Sequence, residues 1–183
     1  MSRDHVRGIA AAVMYEGDLL YPYRASSSKN QSRWQFGVLG PPGASEASFG
    51  EDPGMSMQCL LAPRGRAAVT IHLRFLQLQV RETQRRVRDR HLAVNELNVD
   101  GTSVLTWDEA VEREVTLPVQ SLDERAEFPL EIPGGEDVEP VLNHLGAETG
   151  RIVRRRQPPQ ARLRVNPAPV AGFIRLSIPV HNE

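Results

Sequence analysis

The chain has one cysteine, Cys59, in 183 residues, and one lysine, Lys29, among its 22 basic side chains. A lone thiol can neither close an internal disulfide nor supply the paired thiolates of a zinc or iron–sulfur site. Inside the apolar stretch Met57-Gln-Cys-Leu-Leu61 it reads as a small core hydrophobe. Nucleotide-binding fingerprints are missing: there is no G-x-G-x-x-G and no P-loop, whose lysine must reach the phosphates. Gly54-Met-Ser-Met-Gln58 fails at its last position as a G-x-S-x-G nucleophile elbow. No apolar run approaches the ~18 residues of a membrane span; Ile9 to Tyr15 is cut short by Glu16 and Asp18. Neither sign of charge dominates, with 22 basic against 23 acidic residues and a net charge of −1. That balance lacks the electrostatic footprint of a nucleic-acid or membrane-surface binder. We therefore expect neither partner, and a cytoplasmic location. The five histidines (His5, His72, His91, His144, His181) do not pair at metal-site spacings, so no metal, cofactor or catalytic residue is assigned.

Glycine and proline, 14 of each, punctuate short apolar runs in the manner of an all-β chain. Met55 to Leu61 and Ala67 to Arg81 read as strands. In the second, Val69, Ile71, Leu73 and Phe75 alternate, then Leu76, Leu78 and Val80 alternate on the other parity. A one-residue slip reverses the buried face, so a bulge or sheet-switching bend is expected near Phe75-Leu76. Leu97 to Val99, Asp100-Gly101 and Ser103 to Trp107 form a hairpin around a favoured two-residue turn. Ile9 to Tyr21 reads as another hairpin, and strands are also expected over 34–39, 110–120, 128–132, 160–165 and 171–180. The one helix expected is Asp137 to Leu145, where Val138, Val141, Leu142 and Leu145 form an i, i+3, i+4, i+7 stripe. Residues 41–55 are expected to form a mobile loop. The whole, 1–183, reads as a single β-rich domain, mainly antiparallel and β-sandwich-like.

Two kinds of charge cluster occur. Asp108, Glu109, Glu112 and Glu114 read as the solvated face of a strand. Arg85-Arg86, Arg88 and Arg90, and then Arg154-Arg-Arg156, read as solvated loop charge. The segment from Leu19 to Gly40 differs: Tyr21, Tyr23, Trp34 and Phe36 are interleaved with Arg24, Lys29, Asn30 and Arg33. Aromatics beside guanidinium and amide groups suit an interface anchor, or a stacking site for a base or sugar. The candidate binding residues are accordingly Tyr21, Tyr23, Arg24, Lys29, Asn30, Arg33 and Trp34. If they form a concave pocket, a small-molecule (anionic or aromatic ligand) site or an enzyme is the alternative to a protein partner.

Several stretches resemble an uncharacterised bacterial family encoded beside NiFe-hydrogenase genes in actinobacteria and some acidobacteria. They are Leu19-Leu-Tyr-Pro-Tyr-Arg-Ala-Ser-Ser-Ser-Lys-Asn-Gln-Ser-Arg-Trp-Gln-Phe-Gly37, Glu96-Leu-Asn-Val-Asp-Gly101, Trp107-Asp-Glu-Ala-Val-Glu-Arg-Glu-Val115 and Arg151-Ile-Val-Arg-Arg-Arg156. The resemblance implies a hydrogenase-associated accessory protein acting as an interaction or assembly module on hydrogenase subunits or maturation factors. It carries over no catalytic residue. Relatives run beyond the equivalent of Val180, so this chain is expected to correspond to their N-terminal β-rich part. A terminal strand left unpaired predicts a homodimer through its edge.

Overall fold

The computed structural model of the protein describes residues 4–8, 38–46, 51–62, 65 and 67–183. Among these residues, 4–8 are helical and eleven strands follow. These are β1 (Gly54–Leu61), β2 (Val69–Val87), β3 (Arg90–Val94), β4 (Glu96–Val99), β5 (Thr102–Leu105), β6 (Trp107–Val119), β7 (Ala126–Glu131), β8 (Gly135–Leu142), β9 (Glu148–Arg156), β10 (Gln160–Val170) and β11 (Phe173–Asn182). Every strand pairing whose register is resolved is antiparallel, and the fold is all-β and sandwich-like. The hairpin expected over 9–21, and most of the strand expected over 34–39, lie outside the described residues. The chain divides into two compact units: 1–35, 75–113 and 134–157 make one, and 36–74, 114–133 and 158–183 the other. Both long strands, β2 and β6, contribute residues to each.

The second unit holds a four-stranded sheet ordered β1-β11-β10-β7. One face is apolar up to Asn182 at the end of β11. Met55, Met57 and Cys59 of β1 lie opposite Val180, Ile178 and Leu176 of β11, while Leu163 of β10 lies opposite Val180 and Phe128. Leu163 and Val165 are wholly buried, and Leu117, Val119, Leu122 and Leu130 are buried in the same unit. β10 runs through Pro167 and Pro169, which the sequence placed in a connection. Its β7 partner ends at Val165↔Ala126, so Pro167 and Pro169, still in register with Leu176 and Ile174 of β11, have no strand on the β7 side to interrupt. The reversal instead falls on Ala171-Gly172, both at positive φ (46° and 83°), as a two-residue hairpin of the primed kind requires. β11 is not the unpaired edge that the terminal position suggested, since β1 and β10 flank it on either side. At the base of the loop that precedes β1, the Gly40 N–H donates to the Asp52 carbonyl at 3.1 Å.

The first unit is built on β3-β2-β9-β8, part of a five-stranded sheet in which β6 also pairs with β2, with β4 and β5 as a separate hairpin. Asp100 and Gly101, at φ 53° and 83°, close that hairpin as the Asp-Gly turn predicts. Gly150 of β9 allows a close approach: a Cβ there would collide with the Gln84 carbonyl and the Leu97 side chain. Ile152 and Val153, adjacent in β9 and therefore on opposite faces, are both buried. Such a two-sided strand shows no alternation to read.

Two expectations are corrected here. Residues 137–145 are not a helix; β8 occupies 135–142 and pairs with β9, and a turn follows. Pro140, in mid-segment, would break a helix but is tolerated on a sheet edge. Glu136 and Asp137 find Arg155 and Arg154 directly opposite. The supposed apolar stripe is not buried: Val138, Leu142 and Leu145 are exposed. Nor does burial change parity in β2. Gln77 and Gln79 are 4% and 5% exposed, whereas Leu78 and Val80 are 55% and 43% exposed. Odd positions keep facing inward because the two glutamines find polar partners there. The strand does pass from one unit to the other at Arg74/Phe75, where the alternation of the sequence changes.

Candidate interaction surface

The seven residues picked out by the sequence (Tyr21, Tyr23, Arg24, Lys29, Asn30, Arg33 and Trp34) lie outside the described residues. The charge clusters lie within them: Arg85, Arg86, Arg88 and Arg90, with Asp108 and Glu112, are exposed as the sequence suggests, whereas Glu109 and the Arg154–Arg156 run are half-buried and engaged with partners. Arg154, Arg155 and Arg156 belong to a strand and not a loop, and face an acidic neighbour. Arg154 Nη1 donates to Glu139 at 2.6 Å, Arg155 Nε to Glu136 at 2.7 Å, and Arg156 pairs with Asp137 at 2.7 Å. This β8–β9 ladder joins opposite charges on paired strands, a favourable cross-strand arrangement.

Glu109 of β6 gathers the most partners. Gln79 Nε2 donates to its Oε2 at 2.7 Å, Trp107 Nε1 to its Oε1 at 3.0 Å, and Arg154 Nε to its Oε2 at 3.2 Å. Arg81 Nε lies 3.5 Å away and its guanidinium sits 5.4 Å over the Trp107 ring. Burial pushes the Glu109 carboxyl up, but the bonds from Gln79 and Trp107 and the charges of Arg154 and Arg81 outweigh it, leaving it below the ordinary range. A carboxylate held ionised in this way is not a general acid, and its oxygens are already occupied by donors of the chain. Glu109 thus belongs to a structural polar cluster. In the sequence, Thr106-Trp-Asp-Glu109 also matches a helix capping box; here Thr106 Oγ1 donates to the Val94 carbonyl and accepts from the Thr83 N–H.

Three of the five histidines are likewise engaged: His91 with Glu148 at 2.8 Å, His144 with Asp100 at 2.8 Å, and His72 with Thr116 at 3.1 Å. Among the described residues, no group of three His, Cys, Asp or Glu side chains is placed to hold a metal ion. No helix among them is long and apolar enough to cross a membrane. Cys59 is a free, half-buried thiol on the inner face of β1. Two open clefts, both in the second unit, have volumes of about 390 and 260 Å³. Prolines 133, 158 and 159 line the first, prolines 167 and 169 the second, and each cleft collects only one carboxylate (Glu131 and Asp123).

Among the described residues two surfaces remain uncommitted. One is the β2–β3 hairpin, whose turn puts Arg88 at φ 56°. Arg85, Arg88 and Arg90 are exposed with no described carboxylate in ion-pair range, and Arg86 lies 3.9 Å from Glu148. The other is β1. Its eight residues, Gly-Met-Ser-Met-Gln-Cys-Leu-Leu, carry no charge, and among the described residues it is paired on one side only. Met55, Met57 and Leu60 are each more than half exposed. The two methionines belong to the apolar inner face, and they stay uncovered because that face ends with their strand. The sequence of Met55 to Leu61 has strand character but no signal for an edge position, which pairing order alone decides. Compared with known proteins, this chain matches no family model, no curated protein and no solved structure.

Proposed function

We propose that this chain is a non-enzymatic, cytoplasmic interaction module that assists the assembly or maturation of a hydrogenase by protein–protein contact. The observation that supports a contact role is the uncharged edge strand β1, where Met55 and Met57 leave the apolar inner face uncovered and Leu60 is exposed on the opposite face. Exposed strand edges of this kind are templates for adding another strand. The hydrogenase link rests on the resemblance of Leu19 to Gly37 and of the three later stretches. In this reading Tyr21, Tyr23, Arg24, Lys29, Asn30, Arg33 and Trp34 supply the specific anchors, and β1 supplies apolar contact area.

The test is affinity purification of the tagged protein from its native host, followed by mass spectrometry of the eluate. Hydrogenase subunits or maturation factors should be present, and should be lost with Arg24→Ala plus Trp34→Ala in a variant that keeps its circular dichroism spectrum. An eluate without any hydrogenase component would overturn the reading and move the weight to a small-molecule ligand at the same residues.

A further inference from the structure

We infer that β1 is the seam of a symmetric homodimer, in which the β1 strands of two copies pair antiparallel and join two four-stranded sheets into one of eight. The inference builds on the proposed function only in taking β1 as a contact surface; its occupant here is a second copy of this chain.

Charge selects that occupant. A two-fold axis perpendicular to the sheet brings a strand against itself, so any charge near the axis meets its own copy, and like charges opposite one another are destabilising. The other edges among the described residues fail this condition. β7 carries Glu127 and Glu131, β8 carries Glu136, Asp137 and Glu139 around Pro140, and β3 carries Arg90 and His91. β5 is uncharged but, like β4 with its Glu96, only four residues long, and β6, paired with β2, carries Asp108, Glu109, Glu112, Arg113, Glu114 and Pro118. Sheet edges are ordinarily blunted by charge, proline or shortness. Only β1 combines eight residues with none of these protections.

Face matching agrees. Under the same axis the inner faces of both sheets point the same way, so odd residues of β1 meet odd residues of its copy. Met55, Met57 and Cys59, which face inward beside Val180, Ile178 and Leu176, would then continue the apolar row across the seam. The methionine side chains, now more than half exposed, would be covered by their own counterparts. Methionine is suited to this because its unbranched chain adapts to an irregular gap. A two-fold seam also closes: once each β1 is used, no equivalent edge is left to recruit a third copy.

Sedimentation velocity on the full chain over a concentration series tests the inference. The wild type should move from monomer to dimer, and Met57→Lys should raise the dissociation constant at least ~10-fold by opposing two ammonium groups near the axis. Val138→Lys, on the exposed β8 edge, should leave the dimer unchanged. Hydrogen exchange should show β1 amides gaining protection with concentration while β7 amides do not. A monomer throughout the series, a dimer indifferent to Met57→Lys, or open-ended larger assemblies would each overturn the inference. A monomer that still retrieves hydrogenase components would remove the self-pairing and leave the module reading standing; a β1 dimer with a clean eluate would do the reverse.

Discussion

Replacing Glu109 removes the charge around which one polar cluster of the first unit is arranged. Glu109→Gln keeps the size of the side chain and one carbonyl acceptor but leaves Arg81 without the carboxylate at 3.5 Å, while Arg154 retains Glu139 at 2.6 Å. Hydrogen bonds to a charged group contribute ~1.5–3 kcal/mol each when buried, and exposed ion pairs ~0–1. The Glu109, Arg81 and Arg154 side chains are 22%, 15% and 25% exposed, so the cluster lies between those limits. Glu109→Gln should therefore cost about 2 kcal/mol, and Glu109→Ala about 3–4, because the Gln79 and Trp107 donors then lose their acceptor as well. Urea unfolding at neutral pH, followed by tryptophan fluorescence in a Trp34→Phe background so that Trp107 alone reports, reads both values from within the cluster. The pH dependence supplies the sign. A carboxyl whose folded-state pKa lies below its unfolded value stabilises the fold fully above the unfolded value, about 4.3, and loses that contribution as pH falls through the folded value. The gap between wild type and Glu109→Gln should thus be constant near neutrality and shrink below about pH 4. Two variants within about 0.5 kcal/mol of wild type, or a gap unchanged in acid, would refute the cluster as a source of stability.

Two further substitutions test the backbone. Gly150→Ala places a methyl against the Gln84 carbonyl and the Leu97 side chain, and should destabilise by about 2–3 kcal/mol in the same urea assay, since backbone cannot move aside as a side chain can; an unchanged midpoint would mean that β9 and β4 do not approach as described. Ala171→Asn keeps the left-handed turn beside Gly172 but suits it better than alanine, and should raise stability by about 0.5–1 kcal/mol, or about 2–4 °C in calorimetry; a lower melting temperature would deny the turn its positive φ.

The sequence by itself determined the all-β class, because that class depends on local properties. Glycine and proline punctuate short alternating runs, and Asp100-Gly101 favours a primed turn whatever surrounds it. Met55 to Leu61, the β6 segment and Phe128 to Ile132 were legible for the same reason. Only tertiary structure decided the rest. β8 reads as an amphipathic helix in isolation, and becomes a strand because Pro140 cannot sit inside a helix and β9 offers Arg154 and Arg155 opposite its acids. β9 itself was hidden, since burial on both faces removes the alternation that marks a strand. In β2, Leu78 and Val80 look like core residues, yet Gln77 and Gln79 are buried in their place, because Arg113 and Glu109 arrive from β6 to satisfy them. Whether a strand is central or an edge is likewise a property of order and not of composition. β11 closes the described chain yet lies inside its sheet, while β1, a strand legible in the sequence, stands among the described residues at the rim with its methionines uncovered.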